Sequence, residues 1–176
     1  MKLNERAPSF TLRSTVGDLV SLGDVAGANG TLVMFICNHC PYVIGAINRI
    51  NDVAKWLKAL EIGVVAISSN DVDSHPADSF ENMKVKAAEW GLVFPYLWDE
   101  TQDVARSYVA ACTPDFFGFN GEGILKYRGR LDEGGRNVVP GARPELLEAM
   151  TIIKQTGEGP VEQWPSIGCS IKWKAA

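Results

Sequence analysis

The run Thr31-Leu-Val-Met-Phe-Ile-Cys37, with Gly30 before it, is a nearly continuous apolar stretch of strand length, the pattern of a strand buried on both faces. From Pro41 the period changes. Val43, Ile47, Ile50, Ala54 and Leu57 recur at intervals of four, three, four and three, which predicts one buried face of a helix opened by proline. Gly63–Ser69 reads as a second buried strand, so strand, helix and strand predict a parallel crossover. A polar turn over Asn70–Asp78 carries His75-Pro76. Beyond it Phe80, Met83, Ala87 and Trp90 predict a helix, with Asp78 and Glu81 as its capping box and Gly91 as its stop.

Phe94–Trp98 predicts a third strand, and Thr101 is placed to cap a short helix through Tyr108. Asp115–Phe119 and Ile124–Arg130, joined at Asn120-Gly121, predict an antiparallel hairpin. A second hairpin, Phe10–Leu12 with Leu19–Leu22 across Gly17-Asp18, stands at the front of the chain. After a Gly-rich loop over Gly134–Gly141, Pro144 opens a last helix whose apolar face is Leu146, Met150 and Ile153. From Pro160 to Ala176 no period is visible, and an irregular tail is expected. With no repeat and no linker, residues 1–176 read as one α/β domain, a mixed sheet with helices on both faces.

At 176 residues and 46% hydrophobic content the chain buries roughly 70% of its unfolded surface, enough to hold a core without disulfide staples. Seventeen basic against twenty-one acidic side chains, with no Lys/Arg run, argue against a nucleic-acid groove. Val25–Asn48 is free of charge and long enough to span a bilayer, but Asn38, His39 and Pro41 interrupt it, so no membrane role is expected. The N-terminus mixes charge signs and reaches Pro8 before any apolar run, unlike a secretory signal. The expected compartment is therefore the reducing cytoplasm, where cysteines turn over or bind metal rather than staple.

The chemistry concentrates at Cys37-Asn38-His39-Cys40-Pro41, where a buried strand turns into a helix. Unpaired backbone N–H groups and the positive end of a helix dipole favour thiolate over thiol there. Two intervening residues bring the second sulfur within bonding reach of the first. On this reading Cys37 is the more exposed attacker and Cys40 the buried resolver of the mixed disulfide. A protonated His39 between them would lower the Cys37 pKa further and make the disulfide more oxidising; the plain alternative is a solvated loop histidine. The rival use of the pair is a zinc site completed by Cys112, Cys169 or a histidine, although zinc ribbons repeat the close pair and this chain does not.

The chain resembles the thioredoxin superfamily, in particular the peroxiredoxin-like redoxin group that contains alkyl hydroperoxide reductase and thiol-specific antioxidant proteins. The resemblance rests on Ala7-Pro8-Ser9-Phe10-Thr11-Leu12, the Cys37 to Cys40 motif, Ala111-Cys112-Thr113-Pro114-Asp115-Phe116-Phe117 and Ser166-Ile167-Gly168-Cys169-Ser170-Ile171-Lys172-Trp173. It implies a thioredoxin fold, Cys37 as nucleophile, Cys40 as resolving thiol, Pro114 as a cis-proline facing the pair, and Thr113 as a substrate-binding residue through its main chain. It implies no metal or organic cofactor. The implied partners are protein or small-molecule thiols and disulfides, with hydroperoxides as the alternative, and a reducing thiol system.

Three departures qualify this. Asn-His separates the cysteines where thioredoxin has Gly-Pro. Met34 stands where a peroxiredoxin places the hydroxyl residue that binds peroxide, which speaks against efficient peroxidase activity. No acid lies between Asp24 and Asp52, which leaves the base for Cys40 unassigned. Cys112 and Cys169 are candidate additional redox thiols, with burial and tail anchoring as the plain alternatives. Arg128 and Arg130 point to one strand face, either toward the thiolate or as edge-strand charges. His75 reads as a surface residue. The expected function is thiol-disulfide exchange, against a thiol peroxidase and, from another class, a non-catalytic zinc- or partner-binding module.

Overall fold

The computed structural model describes residues Met1–Ala176. Seven strands form one sheet: β1 (Thr11–Ser14), β2 (Leu19–Ser21), β3 (Thr31–Phe35), β4 (Gly63–Ser68), β5 (Tyr96–Trp98), β7 (Asp115–Phe119) and β8 (Leu125–Gly129), in the order β2-β1-β5-β4-β3-β7-β8. β3, β4 and β5 run parallel, while β7 and β8 on one side and β1 and β2 on the other run antiparallel. The front hairpin, the crossovers and the rear hairpin follow the sequence pattern. No helix is long and apolar enough to cross a membrane.

β3 is buried along its whole length because it sits between β4 and β7 and both of its faces are covered. Its alternate side chains part to two cores. Leu32 and Met34 pack with α3 (Ile47–Ala59) and α6 (Glu145–Thr156) through Ile50, Leu57, Met150 and Ile153. Val33 and Phe35 face Phe117, Phe119 and Tyr108 of α5 (Asp103–Tyr108), where the aromatic rings meet edge-on or tilted.

Four local expectations are corrected. The helix predicted from Pro41 onward is two: α2 (Pro41–Ile44) and α3, broken at Gly45-Ala46. A Cβ at Gly45 would stand 2.2 Å from the Arg136 carbonyl oxygen, so the loop over Gly134–Gly141 presses into the break. Both hinge residues keep right-handed helical dihedrals, which is why the side-chain period runs through uninterrupted. Asp78 does not cap α4 (Phe80–Glu89); Ser79 does, accepting from the Asn82 N–H, and Asp78 is fully buried in a 3-10 turn over Pro76–Asp78. Gln102 rather than Thr101 is the N-cap of α5, in a left-handed conformation. The tail is not wholly irregular, since β9 (Cys169–Ser170) pairs antiparallel with β6 (Cys112–Thr113).

Candidate active site

β3 and β4 are adjacent and parallel, so the loops leaving their carboxyl ends lie side by side, where α/β sheets place their sites. The first loop carries Cys37 through Cys40. The second carries Asn70, His75 and Asp78. Asp78 binds them together: its Oδ1 accepts the Asn38 backbone N–H at 2.8 Å and its Oδ2 accepts Asn70 Nδ2 at 2.9 Å. The Asn38 side chain is held in turn, donating to the Ala77 carbonyl at 3.0 Å and accepting from the Tyr96 hydroxyl at 2.8 Å. A buried carboxylate with partners on both oxygens fixes the loop that presents the cysteines.

Cys40 is the N-cap of α2, followed by Pro41 in the first turn. Its thiol lies 3.3 Å from the Thr113 carbonyl oxygen, and Cys37 Sγ lies 3.4 Å from Thr113 Oγ1. The Thr113-Pro114 peptide bond is cis. Thr113 therefore touches one sulfur with its side chain and the other with its main chain. Thr113 is thus the partner both sulfurs share.

The interaction with Cys40, burial and the Asp78 carboxylate push the Cys37 thiol well above its ordinary value. The interaction with Cys37 pulls Cys40 down to about 4, aided by Cys169 and Thr113. One expectation is corrected: Cys37 is no more exposed than Cys40, each being about 1% exposed.

His39 points to that carboxylate, its Nδ1 2.6 Å from Asp78 Oδ2, with its ring stacked on His75 at 5.5 Å between centroids. His75 is therefore not an isolated surface residue; it covers His39 and contacts Ser74 Oγ through Nδ1 at 2.9 Å. Cys37, His39 and Asp78 have donor atoms within 4.8 Å of one another and are the residues that would meet a cation. Both Asp78 oxygens already hold loop donors, so the carboxylate is built to position a loop.

Cys169 and Cys112 part company. The β6–β9 register sets Cys169 opposite Thr113 and packs it against the core cluster that holds Cys40. Cys112, one residue along the strand, sits in a pocket with Asp115, Arg128 and Ser166, and burial pushes its thiol up to about 12. Neither arginine serves the sulfurs. Arg128 lies 3.5 Å from Asp115, and Arg130 pairs with Glu145 at 2.9 Å.

Asp78, Asn38, Asn70 and Tyr96 are the residues sequence reasoning missed. Asp78 lies thirty-eight positions beyond Cys40, outside the charge-free segment that carries the cysteines. The signal available was the parallel crossover itself, which puts the loop after the second strand beside the loop after the first.

A strand-to-helix dithiol under a cis-proline, on a central mixed sheet with helices, defines a thioredoxin-fold protein. The AhpC/TSA family profile matches residues 3–128, and the chain belongs to that family. An uncharacterized conserved protein of Geobacillus kaustophilus is 43% identical, with 99% of this chain and 94% of that one covered and a TM-score of 0.94. A hypothetical protein of Sinorhizobium meliloti 1021 is 35% identical over 100% of this chain and 97% of its own, with a TM-score of 0.92. The thioredoxin domain of a thiol-disulfide oxidoreductase from Bacteroides vulgatus shares the fold at 19% identity, with 73% and 88% covered and a TM-score of 0.62. The family carries thiol-based redox chemistry, on thiol, disulfide or peroxide substrates.

Proposed function

We propose that the protein is a thiol-disulfide oxidoreductase whose working couple is Cys37/Cys40. The observation that carries this reading is the convergence of both buried sulfurs on Thr113 beside the cis-proline, Cys37 Sγ 3.4 Å from its Oγ1 and Cys40 Sγ 3.3 Å from its carbonyl oxygen. In the dithiol, Cys40 is both the stored thiolate and the local base. When the Cys37 proton crosses to Cys40, Cys37 becomes the thiolate and attacks a substrate disulfide; Cys40 then displaces the substrate's second thiol and closes the Cys37–Cys40 bond. Asp78 opposes a lasting charge on Cys37, so that thiolate is transient. Thr113 steadies both sulfurs, and His39 acts on the pair through Asp78. The substrates are protein or small-molecule thiols and disulfides, the electrons come from a reducing thiol system, and the reaction suits the cytoplasm. No organic cofactor takes part.

An equilibrium titration across thiol-disulfide buffers, with alkylation of free cysteines and peptide mass mapping, tests this. Cys37 and Cys40 are expected to oxidise together as one two-electron couple. A pair that stays protected until a chelator is added would show a metal site instead. Oxidation by hydroperoxide far outrunning oxidation by disulfides would show a peroxidase.

A further inference from the structure

Both sulfurs of the working couple are sealed from solvent, yet exchange requires a partner's sulfur to meet one of them. The tail offers the way in. β9 lies antiparallel on β6 with Cys169 directly opposite Thr113, whose carbonyl oxygen lies 3.3 Å from Cys40 Sγ. The approach is close enough that a Cβ at Gly168 would stand 2.1 Å from that carbonyl oxygen, so only glycine lets the tail backbone reach it. Cys169 packs against the core cluster that holds Cys37 and Cys40 and, unlike them, is partly exposed. The segment is held on both sides: Ser166 Oγ lies 2.7 Å from the Gly129 carbonyl oxygen and 3.0 Å from Asp115 Oδ1, its one O–H facing both acceptors, Ile171 is buried, and the Lys172 N–H donates to Asn70 Oδ1 at 2.9 Å.

We propose that Cys169 is the third thiol of a relay, the port through which an external dithiol reduces the buried Cys37–Cys40 disulfide. This rests on the Cys37/Cys40 couple proposed above. Cys169 as thiolate attacks Cys40 Sγ; the Cys40–Cys169 bond forms, the Cys37–Cys40 bond breaks, and Cys37 leaves as a thiolate that takes up the proton Cys169 lost. No net oxidation occurs in this step. A dithiol reductant then attacks the exposed Cys169 Sγ, Cys40 leaves as thiolate, and the reductant's second thiol closes its own disulfide and releases Cys169. Two electrons have passed from the reductant to the Cys37/Cys40 pair, and the reductant is oxidised by the same two.

The charges around Cys169 favour this order of events. In the dithiol state burial and the Cys40 thiolate hold the Cys169 thiol up, while Lys172 and Arg136 pull it down. Once Cys40 is in a disulfide its negative charge is gone, and the two cations act on Cys169 without that opposition. The tail thiol is thus a better nucleophile when there is a disulfide to attack. Polypeptide partners have no free β6 edge to pair with at this point, because the chain's own β9 occupies it.

The test has two arms. Cys37→Ser, treated with diamide, is expected to form one intramolecular bond mapped by peptide mass to Cys40 and Cys169, with Cys112 left free; three free thiols would overturn the relay. In the second arm the Cys37–Cys40 disulfide is prepared in the wild type, Cys169→Ser and Cys112→Ser, and its reduction is timed with a protein dithiol. Cys169→Ser is expected to be at least ten-fold slower, and Cys112→Ser equal to wild type. Equal rates in Cys169→Ser would overturn the port while leaving the couple intact. If the wild type forms no Cys37–Cys40 bond at all, the couple itself fails, and that is seen before any variant is made.

Discussion

At the scale of single residues, the opposite displacements of the Cys37 and Cys40 pKa values have consequences that can be measured. Cys40 is drawn down to about 4 from its ordinary 9.0, so its contribution to stability is full above 9 and is lost as pH falls toward 4. Cys37 is displaced upward, so its contribution is full below 9 and is lost only as pH rises beyond that. The disulfide form has neither group. Urea unfolding is therefore expected to show the reduced protein gaining on the oxidised one between pH 5 and pH 8. Across that window the couple takes up one proton per two electrons, and its potential should fall by about 30 mV per pH unit rather than about 60. A slope near 60 would place both protons on the dithiol.

Asp78 is the residue whose removal separates charge from structure. Asp78→Asn keeps an acceptor for the Asn38 N–H but sets an amide N–H₂ against Asn70 Nδ2, which costs about 1–3 kcal/mol of stability. Loss of the carboxylate also lowers the Cys37 pKa, because that charge opposes a thiolate there. The reaction of Cys37 with iodoacetamide, followed against pH, is expected to extend to lower pH in this variant. An unchanged profile would mean that Asp78 holds the loop without acting on the sulfur.

At the scale of elements, glycines mark where segments touch. Gly168→Ala puts a methyl group against the Thr113 carbonyl oxygen and is expected to lift β9 from β6. Amide hydrogen exchange at Cys169 and Ser170 should then accelerate, while β3 and β4 stay protected. The break between α2 and α3 is held from the other side by Arg49, which donates to Asp132 and, at 2.6 Å, to the Gly135 carbonyl. Arg49→Met leaves Asp132 without its partner in a largely buried setting and is expected to lower stability by about 2–3 kcal/mol, read by thermal or urea unfolding. A loss below about 0.5 kcal/mol would put the pair in the class of surface bridges.

For the whole molecule, the sheet order does what no single element does. Placing β3 between β4 and β7 gathers the loop after β3, the loop after β4 and the β6–β7 junction at one end of the sheet. The tail then returns across that end, tied through Gln102, which is fully buried and bonds the Ser69 and Lys172 carbonyls and the Lys174 N–H. Gln102→Ala removes these three hydrogen bonds and a fourth, longer one from Arg106, all made by one buried side chain. We expect it to slow the reduction of the Cys37–Cys40 disulfide by a protein dithiol and to leave the far-ultraviolet circular dichroism unchanged.

Much of this was legible in the chain itself. Period-2 and period-3.6 apolar patterns are local consequences of burial, so β3, β4, the helices and the two hairpins could be read from residues such as Val33, Ile50 and Leu146. The dithiol was legible because the junction of strand and helix is a local event, and the motif marks it. What the sequence did not determine is what meets across distance. Asp78 read as a helix cap because a carboxylate before a helix fits that role locally; only the pairing of β3 with β4 puts it beside Cys37. Cys169 read as a tail residue because a two-residue strand has no period, and its place depends on β6, more than fifty residues away. Burial of both sulfurs and their common contact with Thr113 arise from three segments converging, which is a property of the packed molecule alone.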